Sequence, residues 1–235
     1  MEDIPITRDS LNGQAYQRLC RDLKAGRFAP GEKLKLRDLA AEMGISPTPV
    51  REALARLISE QALEQVGHHS VRVPVMSEVR FAEVRELRLM LEGRAAALAA
   101  ERAGPADVRR LEATHERMAA RHDAGDTAGE LLEAERFHMD VYALADMPVL
   151  QRMVEGLWLQ CGPLMKALQT HAMSRPRKQH PHHLVLRGLR KRDGDVARRG
   201  VEEEIERTSA PILAYLRERG AVAATTARKT VRVAA

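Results

Sequence analysis

Residues 36–63, LRDLAAEMGISPTPVREALARLISEQAL, constrain the fold most, because two short helical periods separated by a single turn fix how their apolar faces must meet. Leu36, Leu39, Ala40 and Met43 follow one helical stripe, and Val50, Leu54, Leu57 and Ile58 restart it after Gly44. Gly44 supplies the backbone freedom that the turn requires. Ser46 is placed to cap the second helix, and Pro47 suits its first position, where an amide hydrogen has no partner to lose. With Leu39, Val50, Leu54 and Leu57 turned inward, Thr48 and Arg51 stand on an exposed first turn, the part of a helix-turn-helix that meets base edges.

The flanks extend this unit. Residues 9–25 place Leu11, Tyr16, Leu19, Cys20 and Leu23 on one helical face that ends at Gly26, and GRFAPGEKL reads as a loop. Residues 63–66 and 71–75 read as two short strands around Gly67-His68-His69-Ser70, and as the only strands of the chain. Three helices and a hairpin are the order of a winged helix-turn-helix domain over residues 1–75. After a linker at residues 75–78, amphipathic helices are expected at 77–103, 105–124, 127–145, 148–171, 181–193 and 195–219, broken by Gly and Pro pairs. The fold class is therefore mostly α: an N-terminal winged helix-turn-helix followed by an all-α helical bundle over residues 76–219. Residues 220–235 are expected to be a disordered tail.

Composition excludes several alternatives. With 44% hydrophobic residues the 235-residue chain can bury substantial cores, so a disordered class does not fit. The net charge is only +5, and residues 1–75 carry 11 basic against 10 acidic side chains, so affinity for nucleic acid has to come from clustering on one face. Cys20 and Cys161 form no C-x-x-C pair, which argues against a zinc finger or disulfide scaffold and for a reducing cytoplasm. No signal peptide or apolar run of about 18 residues is visible, so no membrane span is expected.

The run Ala29-Pro30-Gly31-Glu32-Lys33-Leu34, then Leu39-Ala40, Gly44-Ile45-Ser46 and Thr48-Pro49-Val50-Arg51-Glu52-Ala53-Leu54, resembles the DNA-binding domain of GntR-family transcription regulators. Arg88-Leu89-Met90-Leu91-Glu92, Phe137-His138 and His182 leading into Leu184-Val185-Leu186 resemble the FCD effector domain of the FadR-type subfamily. The resemblance implies a homodimer that binds double-stranded DNA at an inverted-repeat operator, as a repressor, and senses a small organic acid. It implies DNA contacts from Arg37, Ser46, Thr48 and Arg51, with the wing histidines His68 and His69 placed for the minor groove. The chain departs from the family at Pro47, where many relatives carry arginine or lysine, and at Ser70, where the wing tip usually carries glycine.

For the helical domain the resemblance implies a divalent metal, zinc or nickel, held by an aspartate and three histidines. His138 and His182 fall on two histidine positions, Glu204 on the third, and Ala134 on the aspartate position, leaving Glu135 as a substitute carboxylate. The same histidines also fit hydrogen-bonded core or helix-start residues. Arg88 aligns with a family arginine suited to an effector carboxylate, and equally suits an intrahelical ion pair with Glu92. Two other classes compete: a metal-dependent enzyme using the histidine and carboxylate cluster, and an architectural DNA binder without effector. Against the enzyme, none of the usual catalytic or nucleotide-binding motifs occurs.

Overall fold

Helix α1, Leu11–Lys24, packs its Ala15, Tyr16, Leu19 and Leu23 face against α3, Pro47–Ser59, whose Val50, Ala53, Leu54 and Leu57 are buried. The computed structural model describes residues 11–66, 70–169 and 180–233. Between α1 and α3 lies α2, Leu36–Met43, which ends at Gly44 in the left-handed region at φ 66°. Only glycine takes that conformation without steric cost, and the amide there closes onto the carbonyls of Ala40 and Ala41. Arg56 lies over the Tyr16 ring at 3.6 Å while the Tyr16 hydroxyl donates to Glu60 at 2.7 Å, tying the two long helices together.

Strands β1, Lys33–Leu34, β2, Glu64–Val66, and β3, Ser70–Arg72, form one antiparallel sheet in the order β1-β3-β2. The β2–β3 hairpin is as expected, but β1 corrects the reading of residues 26–34 as loop alone. Two residues are too few to show a period, and the strand exists because Lys33 and Leu34 pair with Arg72 and Val71. His68 and His69 lie outside the described residues.

The described residues divide into two compact units, the first comprising those up to Val75 together with Trp158–Lys166, and the second the remainder. In the first, Leu159 joins the core built by α1, α2 and α3. The second is all helix: α4, Glu78–Arg102; α5, Pro105–Asp123; α6, Thr127–Ala143; α8, His182–Lys191; and α9, Gly194–Val233, with part of α7, Pro148–Gln169. Side-chain oxygens cap α4 and α6, where Ser77 accepts from the Arg80 amide and Asp126 from the Gly129 amide. Helix α9 spans Gly194–Val233. Ala221, Ala223, Ala224 and Ala227 carry high helix propensity and extend a helix already begun. None of the helices among the described residues is long and apolar enough to cross a membrane.

Helix α4 packs on α9, α5 on α6, and α8 on α9. The α8–α9 crossing depends on two glycines. A Cβ at Gly188 would lie 2.4 Å from the Ala197 amide nitrogen, and one at Gly200 would lie 2.8 Å from the Val185 amide nitrogen. This close approach sets the positions of His182 on α8 and Glu204 on α9. Gly188→Ala is therefore expected to destabilise the chain by about 1–3 kcal/mol through overpacking, measured by denaturant unfolding. An unchanged midpoint would show that the crossing tolerates a wider spacing.

Candidate functional site

In the first unit, Pro47 opens α3 and Ser46 takes the cap position with extended backbone, but its hydroxyl makes no capping hydrogen bond, contrary to expectation. Pro47 and Pro49 carry no amide hydrogen, so the first three residues offer the Thr48 amide, which the Ser46 side chain does not occupy, and no acidic residue sits in that turn. A helix start of this kind attracts anionic oxygens. Ser46, Thr48 and Arg51 are exposed there, and Arg37 is exposed on α2.

Ion pairing separates these arginines from most others in the unit, although Arg21 on α1 is likewise exposed and makes no ion pair among the described residues. Arg18 and Arg27 pair with Asp22 and Glu42, Arg56 with Glu60, and Arg72 with Glu64. Among the described residues Arg37 and Arg51 make no ion pair. Their positive charge is therefore uncompensated, on the elements that a helix-turn-helix offers to DNA.

In the second unit, His138 on α6, His182 on α8 and Glu204 on α9 converge. The His138 Nε2 lies 3.2 Å from Glu204 Oε1, the His182 Nε2 lies 3.2 Å from Glu204 Oε2, and the two Nε2 atoms are 3.2 Å apart. Phe137 stacks on the His182 ring at 3.8 Å between centroids and holds its plane. Glu135 is not part of the group whose ligand atoms all lie within 4.8 Å of one another. Three residues on one helix face do not by themselves bring a carboxylate to the same point as His138. Ala134 offers no ligand atom, so the carboxylate comes from α9 rather than from α6.

The far nitrogen of His138 is held by a buried chain. Arg88 donates from Nε to Glu92 Oε1 at 2.6 Å and from Nη2 to Oε2 at 3.4 Å, four residues apart on α4. Burial, then Glu92, raises the Tyr142 phenol well above its ordinary range, so it keeps its proton. That hydroxyl donates to Glu92 Oε2 at 2.6 Å and lies 3.1 Å from His138 Nδ1. Since its single proton goes to Glu92, the tyrosine oxygen must accept from His138 Nδ1–H. In the neutral ring this leaves a lone pair on Nε2, facing Glu204.

Electrostatics sharpen the problem at the centre. Burial pushes His182 down to about 4, so it is neutral near pH 7. Burial also opposes charge on Glu204, but the facing His182 and His138 outweigh it and hold that carboxyl well below the usual range. The imidazolium that would best hold Glu204 is thus the form that burial removes from His182. The carboxylate is ionised and short of a cation, and its buried Oε2 makes no hydrogen bond among the described residues despite its 3.2 Å approach to His182.

The donor set fits a divalent metal. Two imidazole nitrogens and a carboxylate suit zinc or nickel, and atoms about 2.1 Å from a tetrahedral centre stand about 3.4 Å apart, close to the separations found here. Arg88, expected to face an effector carboxylate, is 8% exposed and has its guanidinium on Glu92. Sequence reading missed Tyr142 and His115. Tyr142 lies four residues after His138 on the same helical face, and His115 lies on the buried stripe of α5 with Val108, Leu111 and Met118.

Comparison with known proteins agrees with both halves. Residues 11–73 match bacterial regulatory proteins of the gntR family, and residues 83–207 match the FCD domain. The chain is 31% identical over 203 residues to the HTH-type transcriptional regulator McbR of Escherichia coli, covering 86% of this chain and 92% of that protein. It is 30% identical to the HTH-type transcriptional repressor GlaR of Escherichia coli, over 65% of this chain and 70% of that one. The solved structure of E. coli McbR/YncC superposes with a TM-score of 0.82 at 30% identity, over 88% of this chain and 99% of that one. A putative GntR regulator from Rhodococcus shares the fold, with a TM-score of 0.66 at 20% identity.

The buried ion pair yields a direct test. Glu92→Gln keeps the shape of the side chain but removes the carboxylate charge that faces the buried Arg88, and is expected to cost about 3–5 kcal/mol in denaturant unfolding. A cost under about 1 kcal/mol would mean that Arg88 is held by other groups.

Proposed function

The chain belongs to the GntR family of bacterial transcription regulators, with an FCD domain as its second half, and from that membership we propose a specific way of working. It is a regulator rather than an enzyme. In this proposal it acts in the cytoplasm as a homodimer on an inverted-repeat operator, one α3 helix reading each half-site. The observation that carries the reading is the exposure of Arg37 and Arg51 without ion pairs, beside the uncapped start of α3. Arg51 reads a guanine through its planar fork, worth about 1–3 kcal/mol of discrimination. Arg37, Ser46 and Thr48 set the register through phosphates. The chain represses, as the name of its relative GlaR describes for that protein.

For the second unit, His138, His182 and Glu204 hold a divalent cation, zinc or nickel. When bound, the cation supplies a positive centre for a small organic-acid effector. Arg88 enters this site through Glu92 and Tyr142, which present His138 Nε2 to the ion. Effector binding then changes operator affinity by a coupling of about 1–3 kcal/mol.

Two measurements test these readings separately. Operators selected from random-sequence DNA should be footprinted by the full chain, and Arg51→Ala should lose specific protection while keeping its fold. Unchanged affinity for the same operator would overturn the assignment of Arg51. Zinc or nickel at about a hundred times its Kd should stabilise the chain by about 2.7 kcal/mol, which raises Tm by about 5–11 °C. His138→Ala should abolish that rise, and a rise that persists in His138→Ala would remove this residue from the site.

A further inference from the structure

His182 presents its Nε2 to His138 and Glu204, and its opposite ring nitrogen faces a second group that the proposed function does not use. His115, on α5 and 8% exposed, places Nδ1 3.1 Å from Nδ1 of His182. The His180 ring lies 4.2 Å from that of His182 and 5.6 Å from that of His115. One ligand atom from each of these three residues lies within 4.8 Å of the others. The exposed His183 meets His115 edge-on at 4.8 Å, and His180 is half-buried, so this group leads from the surface to the buried His182. Three imidazoles form a donor set for a first-row divalent ion, with no acidic residue within the group.

We propose that His115, His180 and the Nδ1 of His182 form an outer station for a divalent cation, which shares His182 with the inner set so that only one of the two is filled at a time. The sharing follows from the imidazole itself. A neutral ring has one lone pair. A cation on Nε2 requires the proton on Nδ1, where it is donated to His115 Nδ1, the outer-shell support that ligating histidines commonly have. A cation on Nδ1 requires the proton on Nε2, where it points at Glu204 Oε2, the buried oxygen that otherwise has no hydrogen bond. Each filling therefore satisfies the polar atoms that the other leaves. The long contact from the His182 amide to His180 Nδ1, at 3.3 Å, is the hydrogen bond that the outer cation displaces or bypasses. The outer station, nearer to solvent, receives the ion and the inner set holds it.

This inference includes the inner site of the proposed function, and nickel titration of the full-length chain separates the two. The wild type is expected to bind one equivalent. Glu204→Gln, which weakens the inner set, should still bind one equivalent, and His180→Ala added to it should lower that affinity at least tenfold. His180 is half-buried, so its replacement removes little packing, and circular dichroism of each variant checks the fold. His115→Ala added to Glu204→Gln gives the same loss if the station is as described. No nickel binding by Glu204→Gln beside a wild type that binds one equivalent overturns the outer station and leaves the inner site standing. Binding by Glu204→Gln that ignores both His180→Ala and His115→Ala also overturns it. Two equivalents on the wild type overturn the sharing of His182.

Discussion

The ion pair between Arg88 and Glu92 sits within one helix turn of α4, with Glu92 fully buried, and the protonation pattern of the histidine cluster follows from it. Burying two charges costs several kcal/mol each before their attraction is counted, so such a pair is weak as a source of stability. Its value here is orientation. Arg88 donates to one oxygen of Glu92, and the other oxygen takes the only proton that Tyr142 has. Tyr142 in turn can only accept from His138 Nδ1, and the Nε2 of that ring is turned towards Glu204 and His182. A single helical spacing, Arg88 to Glu92, thus sets the chemistry of an atom on another helix.

The two units handle charge in opposite ways. In the first, arginines that support the fold are neutralised by neighbouring carboxylates, while Arg37 and Arg51 are left uncompensated at the surface. In the second, a buried carboxylate, Glu204, stands beside two imidazoles. One arrangement attracts a polyanion, and the other attracts a small cation. Neither depends on the modest net charge of the chain, which says little about either partner.

Much of this was legible in the sequence wherever a period or a turn residue carried the information. The stripe of Leu39, Val50, Leu54 and Leu57, the turn at Gly44, and the order of helices after Ser77 all read directly, because burial imposes helical spacing. The convergence of His138, His182 and Glu204 was anticipated through resemblance, not spacing. What did not read were facts of tertiary contact. Strand β1 is too short for a pattern, and Leu159 gives no sign in sequence of the core it joins. His115 reads as one more residue of an α5 stripe until His182 is seen 3.1 Å away. Glu135, adjacent in sequence to Ala134, is outside the group of His138, His182 and Glu204, whose carboxylate comes from another helix.

The tautomer of His138 is the most direct measure of whether the buried chain governs the site. In the metal-free full-length protein, the ring nitrogens of neutral His138 can be distinguished by their nitrogen-15 resonances and couplings to the ring protons. The account predicts the proton on Nδ1, bonded to Tyr142, and a bare Nε2 directed at Glu204 and His182. A neutral ring with its proton on Nε2 and a bare Nδ1 would contradict it.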